Sequence, residues 1–190
     1  MAAEYHFVTN WKIQGTAREV ADVLGDPLGL ARWWPSVYLE VRELEPGDPV
    51  THVGRVVDLY TKGWLPYTLR WRFKVTESRG EAGFAIVAEG DFVGTGIWTL
   101  EQHGETVDVQ YDWRIRADKP LLRYGSLVFR PVFGANHRWA MARGEESLKL
   151  ELLRRRATTE AERLAVPAPP GPTFARIASP HRGAFRKSDP

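Results

Sequence analysis

Between Val37 and Arg116 the chain reads as strands separated by turn residues, and two of its segments alternate strictly. Leu69, Trp71, Phe73 and Val75 interleave with Arg70, Arg72 and Lys74, while Val107, Val109, Tyr111, Trp113 and Ile115 interleave with Asp108, Gln110, Asp112 and Arg114. Successive strand side chains point to opposite faces, so each segment has one buried and one wet face, as in an antiparallel sheet covered on one side. The strands are predicted over 37–44, 51–60, 67–77, 84–89, 92–101 and 106–116, with a seventh over 5–14 that ends at Gly15.

Helical signals flank this block. Thr16 and Glu19 have the spacing of a capping box, which opens a short helix over 17–24 that stops at Gly25. Asp26 followed by Pro27 offers an N-cap with proline at the first helical position, and this second helix ends near Trp33-Trp34-Pro35. From Pro120 onward Leu121, Tyr124, Val128, Val132, Ala135, Trp139 and Ala142 recur at helical spacing, predicting a long helix to about Arg156. Pro131 cannot donate to the carbonyl four residues earlier, so a kink or break is expected there. The order predicts an α+β fold in which a curved antiparallel sheet of about seven strands wraps the long C-terminal helix, with two short helices after the first strand.

Composition adjusts this picture at the C-terminus. The chain has 190 residues, and six of its 13 prolines fall after residue 156. A domain over 1–156 followed by a Pro-rich basic tail over 157–190 is therefore expected, the tail trailing as extended chain or docking through Phe174, Ile177 and Phe185. The tail holds five basic against three acidic side chains, which leaves 1–156 neutral despite a pI of about 9.0. A neutral body argues against nucleic acid as partner. The absence of cysteine excludes disulfides, thiolate metal sites and a cysteine nucleophile. With neither a signal-like N-terminus nor an apolar run of membrane-spanning length in the sequence, a cytoplasmic location without an integral membrane segment is expected.

Several stretches carry a family likeness: Trp33-Trp34-Pro35, Leu65-Pro66-Tyr67-Thr68-Leu69-Arg70-Trp71, Glu89-Gly90-Asp91-Phe92-Val93-Gly94-Thr95-Gly96, and Asn136-His137 with Met141 and Gly144. With the order of elements over residues 5–155, they resemble the SRPBCC (START / birch-pollen-allergen) superfamily, specifically its polyketide cyclase/dehydrase-like bacterial branch. The resemblance implies a helix-grip fold with a deep cavity between sheet and long helix. It leaves the chemistry open, because members include lipid carriers, coenzyme Q-binding proteins, aromatase/cyclases and sensors.

The residues narrow that choice. Trp71, Phe73, Phe92, Trp98, Tyr111 and Trp113 on the sheet, with Asn136 and Trp139 on the helix, are candidates for lining an apolar ligand cavity. Gly90, Gly94 and Gly96 share parity with Phe92 and Trp98, which predicts a curved hairpin with room at its glycines. Glu89 and Asp91 read as a solvated charge ladder with neighbouring arginines rather than an acid/base pair. The five histidines are dispersed without metal-ligand spacing, so neither a metal nor another cofactor is expected. No Gly-x-Ser-x-Gly elbow or dinucleotide fingerprint is present.

Two function classes follow, and a third rests on the tail. A binding module would hold a small hydrophobic or aromatic molecule, lipid-like or polyketide-like, by shape and a few hydrogen bonds. A cyclase/dehydrase-like enzyme would need His137, Tyr67 or Tyr111 as acid or base within reach of the substrate. Pro167-Ala168-Pro169-Pro170 would suit an aromatic groove of a partner, although a flexible appendage is the simpler expectation. Sequence leaves oligomeric state and ligand identity undetermined.

Overall fold

The computed structural model describes residues 3–117 and 126–173. Strand β1 (Ala3–Gln14) leads through helix α1 (Ala17–Leu24), a 3₁₀ turn (Pro27–Gly29) and helix α2 (Leu30–Trp33) to a run of six strands. These are β2 (Tyr38–Glu45), β3 (Val56–Lys62), β4 (Thr68–Ser78), β5 (Gly83–Gly90), β6 (Phe92–His103) and β7 (Thr106–Ala117). All pair antiparallel in one seven-stranded sheet of order β1-β7-β6-β5-β4-β3-β2. Helix α3 (Ser126–Arg156) covers the inner face, and a short helix α4 (Glu160–Ala165) follows it.

The caps form as their chemistry dictates. Thr16 and Glu19 exchange side chain to backbone bonds at the start of α1, and Asp26 accepts from the Gly29 amide at the 3₁₀ turn. Glu19 also takes Nε of Arg156 at 2.7 Å, which ties α1 to the last turn of α3. Alternation is kept on β4 and β7, where Leu69, Trp71, Phe73, Val75, Val107, Val109, Tyr111, Trp113 and Ile115 are all buried. On the wet face Arg72 meets Glu89 at 2.9 Å as expected, whereas the Asp91 carboxylate accepts the backbone amide of Arg70 at 2.7 Å.

Four expectations change. The strand predicted from residue 51 begins at Val56, because Asp48 captures the Val50 and Thr51 amides and His52 adopts φ 59°, holding this stretch as a loop. Pro131 does not break the helix, which continues through it. It stands near the start of α3 with its side chain exposed, and only the Leu127 carbonyl is denied an amide partner. The predicted onset at Leu121, with Tyr124, lies outside the described residues. The inward stripe of α3 is Phe133, Asn136, Met141, Gly144, Leu148 and Leu152 rather than Val132, Ala135, Trp139 and Ala142. Apolarity misassigned that face because buried Gly144, Ser147 and Glu151 lie on it while Trp139 stands half-buried on its flank.

The tail is the fourth. Thr159 and Glu162 form a second capping box, so α4 interrupts what reads as extended chain. Beyond it Val166, Pro169, Pro170 and Pro172 are half-buried, Arg154 donates to the Pro167 carbonyl at 2.9 Å, and the Thr173 hydroxyl donates to the Trp64 carbonyl at 3.3 Å. Phe174, Ile177 and Phe185 lie outside the described residues.

Gly144 holds the covering layer in place. A Cβ there would overlap the indole of Trp34, which packs against the bare helix backbone. Alanine normally favours a helix interior over glycine by ~1 kcal/mol. Gly144→Ala should nonetheless destabilise the protein, by about 1–3 kcal/mol as overpacking does. Chemical denaturation of both proteins measures the sign, and a more stable variant would show that Trp34 is free to move.

Candidate functional site

Aromatic side chains form a nearly continuous row between sheet and helices. Trp33 touches Trp34, which reaches Tyr38 on β2 at 5.2 Å and Trp11 on β1 at 5.9 Å between ring centres. Trp11 touches Trp98, which stacks on Tyr111 at 4.1 Å, and Tyr111 stacks on Trp113 at 5.5 Å. Trp113 meets Trp71 and Phe92, and Phe92 leads through Phe133 to Tyr5 and Phe7. The strand alternation of β1, β4, β6 and β7 delivers these rings to one face, and α3 closes over them.

The row is close-packed at some places and looser at others. Val20, Val23, Val57 and Val107 are 0% exposed, whereas Tyr5, Trp71, Phe73, Val75, Trp98 and Tyr111 each keep 7–8% of their surface. Phe73 and Val75 among them border an open space beside α1. Gly96 supplies none of it, contrary to expectation: the Tyr111 hydroxyl and the Trp113 ring already lie over its Cα. Gly90 and Gly94 instead serve the backbone, with φ of 110° and 158° where an added Cβ would strike the neighbouring strand.

Polar groups in this layer divide into satisfied and unsatisfied. The Trp71 indole donates to the Thr61 hydroxyl at 3.0 Å. The indole nitrogens of Trp11, Trp33 and Trp34 and the hydroxyls of Tyr5 and Tyr67 are buried without a hydrogen-bond partner among the described residues. Such groups cost of order 1–3 kcal/mol each when they stay unpaired, and all five are able to donate. Burial pushes the Tyr67 phenol up to about 12 with help from nearby Tyr5, and pushes Tyr111 well above its ordinary value with help from Tyr38. These phenols are protonated at neutral pH. They are donors, not bases.

The remaining candidates are held in structural contacts. Asn136 is buried, and its Oδ1 accepts the amides of Trp64 at 2.9 Å and Leu65 at 3.4 Å, fixing the β3–β4 loop against α3. Gly63 is needed beneath it, because a Cβ there would collide with the Asn136 amide. The His137 ring stacks on Phe7 at 4.3 Å, and its Nε2 lies 3.3 Å from the Thr9 hydroxyl. Desolvation, reinforced by Arg138, lowers its pKa to about 4, which keeps the imidazole neutral near pH 7. Trp139 is half-buried and stands apart from the aromatic row. The structure thus brings Trp71, Phe73, Phe92, Trp98, Tyr111 and Trp113 together and leaves Trp139 outside.

Sequence reasoning missed Tyr5, Trp11, Trp33, Trp34 and Tyr38. The parity of Tyr5 and Trp11 on the first strand was available as a signal; for Trp33 and Trp34 only the fold shows that they point inward. It also missed a cavity of about 700 Å³ at the α1 end of the layer, whose walls include Ala21, Leu24, Phe73, Val75, Phe84 and Leu100. Of the residues expected to bind a ligand, Phe73 lines it. Among the described helices none is long and apolar enough to cross a membrane.

No protein-family model matches the chain, and no curated protein does. Solved structures do. The ZhuI aromatase/cyclase from Streptomyces sp. R1128 is 20% identical, the match covering 82% of this chain and 98% of that one with a TM-score of 0.61. TTHA0849 from Thermus thermophilus is 16% identical over 80% of this chain and 100% of its own, with a TM-score of 0.65. A START superfamily protein from Mycobacterium smegmatis is 12% identical over 77% and 96%, with a TM-score of 0.61. At these identities the likeness is one of fold, and the fold is the helix grip that the sequence led one to expect.

His137 makes stability depend on pH. Its pKa is lower in the folded state than the ordinary histidine value of 6.5, so the unfolded chain takes up a proton first as pH falls. Stability is therefore unaffected above about pH 6.5 and drains away toward pH 4, by roughly 2 kcal/mol at pH 4.5 from the size of the shift. Denaturation midpoints measured from pH 7 to 4.5 should fall for the wild type and stay nearly flat for His137→Phe, which keeps the ring on Phe7. Parallel slopes would mean that the imidazole titrates normally.

Proposed function

We propose that this protein binds a small aromatic or otherwise hydrophobic molecule carrying acceptor oxygens, seated between the concave face of the sheet and α3. The observation that carries the reading is the set of buried ring donors on Tyr5, Tyr67, Trp11, Trp33 and Trp34 that lack a partner among the described residues. A layer built only for stability gains nothing from donors that meet no acceptor among the described residues. A ligand with carbonyl or hydroxyl oxygens supplies acceptors to the donors within its reach, Tyr5 and Trp11 being about 20 Å apart along β1, and the rings supply flat apolar area.

Catalysis by acid/base chemistry is the less supported reading. His137 is neutral and engaged with Thr9 and Phe7, while Tyr67 and Tyr111 hold their protons. A phenol in that state orients or polarises a carbonyl but does not abstract a proton at neutral pH. Shape and donor placement suit holding a ligand more than turning it over.

For a ligand of ~20 heavy atoms at roughly 0.3 kcal/mol per atom, binding is worth about 6 kcal/mol, or dissociation in the tens of micromolar. Tyr67→Phe removes one unpaired hydroxyl and nothing else. It should leave the unliganded protein at least as stable as the wild type, yet weaken a hydroxyanthraquinone about fivefold to tenfold in a fluorescence titration. Unchanged affinity would remove Tyr67 from the seat. Catalytic turnover of a polyketide-like substrate, abolished in the same variant, would replace the carrier reading by the enzymatic one.

A further inference from the structure

We propose that the cavity beside α1 is the entrance through which a ligand reaches the aromatic interior; the proposal rests on the binding function argued above. The cavity, of about 700 Å³, lies among α1, the β2–β3 loop and the β4–β5 hairpin. That volume falls within the usual range for sites that admit molecules of drug size.

Its floor joins the aromatic row directly. Phe84 stacks on Trp98 with ring centres 6.4 Å apart, and Phe73 lies 6.4 Å from Trp71. Both phenylalanines line the cavity, so a molecule resting there is one ring away from the interior. The lining carries Arg18 and Arg55 against Asp22, Asp26 and Glu81, and Asp26 faces Arg155 at 3.7 Å. Arg55 is already engaged by Glu43 at 2.9 Å. What remains is slightly acidic, so the rim offers an anion no attraction and suits an uncharged ligand.

The β2–β3 loop shapes the mouth. Asp48 holds the Val50 and Thr51 amides, His52 follows in the left-handed region at φ 59°, and Val50 projects at the rim with 84% of its surface exposed. An apolar side chain that exposed contributes nothing to the core, and here it borders the opening.

At the opposite end of the layer the chain is fastened. Asn136 anchors the loop at Trp64 and Leu65, Thr173 reaches the carbonyl of Trp64, and the Tyr67 hydroxyl is buried behind that loop. Among the described residues, an entrance there would require breaking these bonds. One beside α1 requires only displacement of rim side chains.

Narrowing an entrance slows arrival and departure alike, whereas damaging a seat changes affinity. Ala21→Phe and Val50→Phe both reduce the opening; Val50 stands outside the core, so its variant keeps the test interpretable if Ala21→Phe unfolds the chain. The probe is N-phenyl-1-naphthylamine, followed by its own fluorescence in stopped flow. Association and dissociation rates should each fall at least fivefold with Kd unchanged within twofold, while Leu153→Phe on the exposed side of α3 matches the wild type. Wild-type rates in both cavity variants, or affinity lost at an unchanged association rate, would overturn the entrance. Absence of saturable binding to the wild-type protein would overturn the binding function itself.

Discussion

One indole holds the architecture together. Trp34 leaves α2, lies on the bare backbone of Gly144 in α3, and touches Trp11 on β1 and Tyr38 on β2. Those two strands are the opposite edges of the sheet. A single side chain therefore spans the concavity and fixes both how far the sheet curls and where the long helix lies over it. Glycine is required on the helix because no other residue lets a ring approach the backbone so closely. Trp33, fully buried next to it, keeps the short helix from rotating.

Beside this contact sits the most demanding electrostatic feature of the fold. Glu151 is buried, and its carboxylate takes two bonds from Arg32 at 2.7 and 2.8 Å and one from Arg155 at 2.9 Å. Burial alone would raise its pKa, but the guanidinium partners outweigh that and leave it lowered. A buried carboxylate with such partners adds little net stability compared with an apolar replacement, yet losing one partner is strongly destabilising. Its effect is to specify how α2 docks on α3, which in turn sets the position of Trp34.

The interior thus combines two kinds of order. The inner side of α1 is closely packed, with Val20 and Val23 fully buried, and the Glu151 carboxylate is matched by its arginines. Along the concave sheet face, rings retain accessible surface and donors lack partners among the described residues. A rigid frame next to a region that leaves polar groups unpaired is the arrangement expected where stability is given up for recognition. The helix-grip fold provides the concavity, and tyrosine and tryptophan fill it with rings and donors.

Much of the fold was legible in the sequence because strand alternation is a local property. Burial on β4 and β7 follows from a period of two, and the caps at Thr16 and Asp26 announce their helical turns through bonds within four residues. The same locality explains why the rings of β4, β6 and β7 were identifiable as one face. Tertiary structure decided the rest. The inner stripe of α3 contains Gly144, Ser147 and Glu151, which look like surface residues until Trp34 and Arg32 are seen to cover Gly144 and Glu151. His137 and Asn136 received their roles from Phe7, Thr9 and the Trp64 loop, partners far away in sequence. Which donors go unpaired, and where the cavity opens, depend on how distant segments meet, and no periodicity within one segment encodes that.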